Sequence, residues 1–135
     1  MIEQIKLDLK KMLEQAFLNE FHTALNVVIE APKRIEQGDL SIPVFTIAKA
    51  ISRPLPETAN HIKKTIESSA ISSLFSELVF MGGFFNMRLN STSMAKAVIE
   101  NYKNHQNNYG NSTIGQDKVV CIDYSSPNIA KPFSI

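Results

Sequence analysis

The sequence predicts an α+β fold, a two-layer sandwich in which helices cover one face of a small, mostly antiparallel sheet. Three observations lead there. Apolar residues recur at helical spacing in four separate segments: Ile2 to Phe21, the stretch after Ser41, Ala59 to Ala70, and Met94 to Tyr102. Two short strand-like runs, Glu77–Met81 and Phe84–Leu89, flank Gly82-Gly83, a pair that supplies the positive φ angles of a tight hairpin. The 135 residues, 44% hydrophobic, suffice for one sizeable core and leave little room for a second complete domain.

In the first segment Ile5, Leu9, Met12, Leu13, Ala16 and Phe17 recur at steps of three and four, opposite Lys6, Lys10, Glu14 and Asn19. That pattern predicts an amphipathic helix. Val27, Val28 and Ile29 are a β-branched run closed by Pro32, which has no N–H for a central ladder, and they predict a strand. Gly38-Asp39 breaks the chain, after which Ser41 is the expected N-cap of a helix with Pro43 in its first turn and Val44, Ile47, Ala48 and Ile51 inside. SRPLPE turns the chain into a third helix, with Pro56 near its start, Ala59, Ile62, Ile66 and Ala70 inward and His61, Lys63 and Lys64 toward water. After the hairpin, Ser91 or Ser93 is the expected cap of a helix whose apolar face is Met94, Ala95, Val98, Ile99 and Tyr102.

Residues 104–117, NHQNNYGNSTIGQD, have almost nothing to bury and predict a mobile or draped linker, so the first domain is expected to span 1–103. Beyond it VVCID is a continuous apolar run of the kind buried on both faces in parallel sheets, and 118–135 reads as the first strand and turn of another domain. No internal repeat is visible.

Fourteen basic and thirteen acidic residues leave a formal charge of +1, so any nucleic-acid contact must be local. Lys10, Lys11, Lys33, Arg34, Lys63 and Lys64 read mostly as solvated faces, with basic strips for phosphate contact as the other reading. The single Cys121 forms no internal disulfide, and the Cys and His spacing fits no zinc site, which suits a reducing, cytoplasmic compartment. His22, His61 and His105 lie far apart and read as surface residues, so no metal site is expected. Charges throughout MIEQIKLDLKK argue against a signal peptide, and no window approaches the ~18 apolar residues of a membrane span.

Two stretches carry candidate chemistry. Strand alternation sends Phe85, Met87 and Leu89 to one face and Phe84, Asn86 and Arg88 to the other. A flat aromatic, an amide and a cation are the side chains that hold an unstacked base and its backbone. A plainer reading stays open, with Phe84 packed under a neighbouring segment, Asn86 bonded to a loop and Arg88 an edge charge, or with this face meeting another protein. In DYSSPNIAKPFSI the expected buried strand runs into a turn rich in hydroxyl, amide and ammonium groups, at the carboxyl end where open α/β sheets place ligands.

SSPNIAKP, Ser125 to Pro132, resembles the segment just before the His-x-Gly-His signature of the arginyl-tRNA synthetases, which are class I aminoacyl-tRNA synthetases. GDLSIPVFTIAKAISRP resembles the Gly-Asp...Ala-Lys helix of that family's N-terminal additional domain, and GGFFNMRL its Gly-x-Gly-Phe-x-Asn-Phe-x-Leu segment. The resemblance implies an N-terminal fragment: a domain that recognises the tRNA(Arg) D-loop, then the first strand of a truncated Rossmann-type, nucleotide-binding catalytic domain. It implies that Phe84 and Asn86 contact a flipped-out D-loop nucleotide, with Arg88 on the same face and Met81 at a further contact position where some members carry a polar residue. It also implies that Asp123, Ser126 and Asn128 face the arginine substrate and Lys131 the ATP phosphates, while Ser134 stands where many members have the signature's first histidine. The parent enzyme would use ATP with Mg2+ to join L-arginine to tRNA(Arg). The fragment is expected to be inactive alone, without cofactor, DNA or membrane as partner.

Overall fold

In the computed structural model, which describes residues 2–123, helix α1 (Ile2–Phe21) buries Ile5, Leu9, Leu13 and Phe17, the stripe its periodicity predicts. The opposite side of α1 is not idle. Glu14 accepts a hydrogen bond from the Val27 N–H at 2.9 Å, and Lys10 Nζ donates to Asn26 Oδ1 at 2.6 Å, so the chain after the helix is drawn back along it. This corrects the expected strand at Val27–Ile29. Val27 is buried, but a side chain of α1 takes its N–H in place of a ladder, and the only pairing near it is a single bridge from Glu30 to Ser41 before Pro32.

The residues after Gly38 also differ from expectation. Leu40–Pro43 is a strand, β1, so Ser41 is no N-cap, and α2 (Val44–Ile51) starts directly after Pro43 without a side-chain cap. Leu40 and Ile42 alternate with Ser41, and the register pairs them with Met87 and Phe85, so burial on the sheet outweighs capping. Helix α3 (Leu55–Glu67) has Pro56 in its first turn and buries Thr58, Ala59, Ile62 and Ile66; it ends before Ala70, which is exposed. His61 also departs from the water-facing prediction. Its ring lies against Phe17 and Phe21, with centroids 4.8 and 5.2 Å away, because α1 and α3 pack at this point.

β2 (Phe75–Met81) and β3 (Phe84–Leu89) form the predicted hairpin, with Gly82 at φ 58° and Gly83 at φ 84°. The sheet order is β1-β3-β2 and every pair is antiparallel. On its inner face Leu40, Ile42, Phe85 and Met87 meet α1 to α3 in one core. Side chains such as Phe17 and Phe85, buried to 0% and 1% exposure, each contribute ~1.5–3 kcal/mol.

Helix α4 (Ser91–His105) is capped by Asn90, whose side chain accepts from the Ser93 N–H at 2.9 Å, and not by either serine. Its expected apolar face is a second correction. Met94 reaches the core, but Val98, Ile99 and Tyr102 are exposed, since no further layer covers them among the described residues. A short 3-10 turn, Gln106–Asn108, follows. Residues 118–123 show no strand, and Val119, Val120 and Ile122 are exposed.

Candidate functional site

The register fixes what the outer face of the sheet displays. Pro43, Phe84 and Met81 form one cross-strand row, Ser41, Asn86 and Val79 the next, and Arg88 pairs with Glu77. Residues 30–37 run beside this face and close a cleft of about 250 Å3, with Pro32, Lys33, Arg34 and Gln37 on one side and Ser41, Phe84 and Asn86 on the other.

The wall is held at both ends. Glu30 exchanges backbone hydrogen bonds with Ser41 at 2.8 and 3.0 Å. At the other end Gly38 adopts φ 114°, which lets the chain approach β3 so closely that a Cβ would lie 2.7 Å from the Met87 carbonyl oxygen. Asp39 then donates its N–H to that oxygen at 2.8 Å and accepts the Leu89 N–H through Oδ2 at 2.8 Å. The Gly-Asp pair therefore places the wall as well as starting β1.

Each predicted side chain has a definite setting. Phe84 is half-buried and packs edge-on against Phe45, with centroids 5.3 Å apart and planes at 86°. Phe45 occupies space that only a glycine at 83 leaves, since a Cβ there would fall 2.4 Å from its ring. Asn86 is 5% exposed, and its Oδ1 accepts from the Ser41 hydroxyl at 2.8 Å. Arg88 is engaged: Nε lies 3.2 Å from Glu77 Oε2 and Nη2 donates to the Glu36 carbonyl at 2.8 Å, so the guanidinium ties the wall to the sheet. Met81 is exposed and borders a shallower depression with Lys33, Arg34 and Gln37.

The structure thus brings Phe84 and Asn86 together at one cleft, while Arg88 and Met81 line an adjoining depression that shares Asn86 and Gln37 with it. Asp123 is exposed in the segment after residue 117, while Ser126, Asn128, Lys131 and Ser134 lie outside the described residues. His22 and His105 are exposed, and no group of three His, Cys, Asp or Glu side chains among the described residues converges to hold a metal. The arrangement suits binding: an aromatic and an amide on a central strand, with two cations on the opposite wall. From sequence Lys33 and Arg34 are named only within possible basic strips and Ser41 only as an N-cap, and neither Phe45 nor a wall at 32–37 is identified. The one available signal was Gly38 directly before Asp39, since a glycine there marks a backbone that must come close to something.

A family model described as "Arginyl tRNA synthetase N terminal domain" matches residues 3–89. The arginine–tRNA ligase of Clostridioides difficile is 31% identical over 134 residues, 99% of this chain and 23% of its own length. That of Clostridium acetobutylicum is 36% identical over 112 residues, 83% of this chain and 19% of its own. The chain therefore spans about a fifth to a quarter of the length of these relatives. A Thermus thermophilus arginyl-tRNA synthetase shares the fold over 68% of this chain and 15% of its own, with a TM-score of 0.54 at 23% identity.

Proposed function

The chain belongs to the arginyl-tRNA synthetase N-terminal domain family, and from that premise we propose that it recognises the D-loop of tRNA(Arg) through the cleft between β3 and the 30–37 wall. The observation that carries this reading is the placement of Phe84 and Asn86 on one cleft opposite Lys33 and Arg34. Phe84 offers a flat surface on which a flipped-out base stacks, held edge-on by Phe45 so that little side-chain freedom is lost on binding. Asn86 hydrogen-bonds the base edge, Lys33 and Arg34 neutralise flanking phosphates, Met81 adds apolar contact, and Arg88 keeps the wall in place while contributing positive charge.

The rest of the proposal concerns the parent enzyme. It activates arginine with ATP and Mg2+ and transfers it to tRNA in the cytoplasm. Residues 1–103 form the tRNA-recognition domain, 104–117 the linker and 118–135 the start of the Rossmann-type catalytic domain. Asp123, Ser126 and Asn128 serve arginine, and Lys131 and Ser134 serve ATP. The fragment by itself catalyses neither step. No helix of the described residues is long and apolar enough to cross a membrane.

The test is binding of a tRNA(Arg) transcript to the chain and to Phe84→Ala. Loss of one stacked base costs ~1–3 kcal/mol, so affinity falls roughly 5- to 150-fold. With Lys33 and Arg34 as the phosphate contacts, log K against log salt has a slope of only about −1.5. Equal binding by wild type and Phe84→Ala at low salt refutes the proposal. A second reading, docking of another protein on this face, draws on the exposed Val79 and Met81 beside Phe84. It predicts a salt-insensitive contact and no RNA binding.

A further inference from the structure

The Ser41–Asn86 pair has a consequence for what the cleft selects. Ser41 is 2% exposed, and its backbone N–H and C=O are both committed to Glu30. Its hydroxyl proton goes to Asn86 Oδ1, 2.8 Å away on the directly paired position of β3. A flipped amide would turn an NH2 group toward that hydroxyl and give up the acceptor of its O–H, so the pair favours the orientation with Oδ1 on Ser41. Asn86 Nδ2 has no acceptor among the described residues, yet it is not among their sealed, unpartnered atoms, so it keeps some exposure on the outer face of the sheet, where Asn86 lines the cleft and the adjoining depression beside Met81 and Arg88.

Building on the D-loop reading above, we propose that Ser41 is a positioning residue that fixes Asn86 as a hydrogen-bond donor into the cleft, so that the cleft selects a base presenting an acceptor at the contacted atom. Ser41 does not touch the base. It acts by removing the amide's freedom to turn over, a freedom that would let Asn86 meet donors and acceptors alike. Glu30 also lines the cleft, and its negative charge offsets part of the positive charge of Lys33 and Arg34.

The experiment uses the chain as it stands and D-arm stem-loop RNAs carrying uridine, cytidine, adenosine or inosine at the flipped position. Uridine against cytidine, and inosine against adenosine, each exchange donor for acceptor on one ring edge. Wild type is expected to separate the members of at least one pair by about tenfold. Ser41→Ala brings that ratio close to one, Ser41→Thr restores it, and Asn86→Asp, which offers only acceptors, reverses it. A Ser41→Ala chain that ranks the RNAs as wild type does overturns the proposal. If Ser41→Ala fails to fold, Asn86→Asp decides alone, and an unreversed ranking overturns it. Phe84→Ala separates the two readings. If it binds as wild type does, the D-loop reading fails; if it binds weakly while Ser41→Ala keeps the wild-type ranking, only the role of Ser41 fails.

Discussion

Replacing Gly38 by alanine tests the placement of the cleft wall more sharply than any exposed substitution. Gly38 sits at φ 114° and ψ −162°, a backbone region that only glycine occupies readily. Forcing a side chain there costs ~1–3 kcal/mol in strain alone. The added Cβ would also stand 2.7 Å from the Met87 oxygen and 3.0 Å from its carbonyl carbon, and these are backbone atoms of the central strand, which cannot swing aside as a flexible side chain can. Relief requires the wall to move off β3, which breaks the 2.8 Å bond from Asp39 N–H to Met87, worth ~1 kcal/mol. The expected loss is ~2–4 kcal/mol, a large part of the ~5–15 kcal/mol that holds a domain together. At roughly 4–8 °C per kcal/mol, melting should fall by about 10–30 °C. Gly82→Ala is the control: φ is 58°, nothing lies within 4 Å of its Cβ, and the cost is only the ~1–2 kcal/mol of a left-handed residue. Denaturant melts of the two variants decide the matter. If Gly38→Ala is no less stable than Gly82→Ala, the close approach of Gly38 to β3 is refuted.

Substitutions at two other residues probe the packing of the fold and of the cleft wall. His61 Nε2 is buried without a partner, while the ring packs on Phe17 and Phe21. His61→Phe keeps the aromatic contacts and removes the unsatisfied nitrogen at the cost of the partly exposed 3.4 Å contact from Nδ1 to Glu20, so it should raise stability by up to ~1 kcal/mol, whereas His61→Ala should lower it by ~2 kcal/mol through the cavity it leaves; a destabilised Phe variant would contradict this account of the α1–α3 contact. Arg88→Ala removes a partly exposed ion pair and one bond to the Glu36 carbonyl, so global stability should change by less than ~1 kcal/mol while amide hydrogen exchange across 34–38 speeds up; unchanged exchange there would show that the guanidinium does not hold the wall.

What was legible in the sequence is what local rules decide. The alternation of β3 separates Phe85 and Met87 from Phe84, Asn86 and Arg88 whatever the rest of the chain does, and two adjacent glycines between strand-like runs leave few turns besides a hairpin. The stripe of α1 is readable for the same reason, because its burial is a property of spacing. The misreadings fall where a distant partner wins. Ser41 before Pro43 carries a helix-start signal, and only a strand 45 residues further on makes it a strand residue. Val27 reads as a strand until Glu14 takes its N–H. Tyr102 and Val98 read as core because spacing reports which side of a helix is apolar but not whether anything covers it.

The same distinction explains the cleft. Sequence alternation picks the aromatic and the amide, but the wall that turns an open sheet face into a site comes from residues 32–37, which have no periodicity to read. Arg88, which looks in sequence like the free cation of the reading set, is spent on Glu77 and Glu36. Under the proposed function, phosphate contact then falls to Lys33 and Arg34, in a chain whose net charge is only +1. A chain so close to neutral gains little from long-range attraction, so under the proposed function discrimination comes from a base stacked on Phe84 and from the orientation of the Asn86 amide. For that reason base identity, more than ionic strength, should dominate the affinity of this domain for RNA.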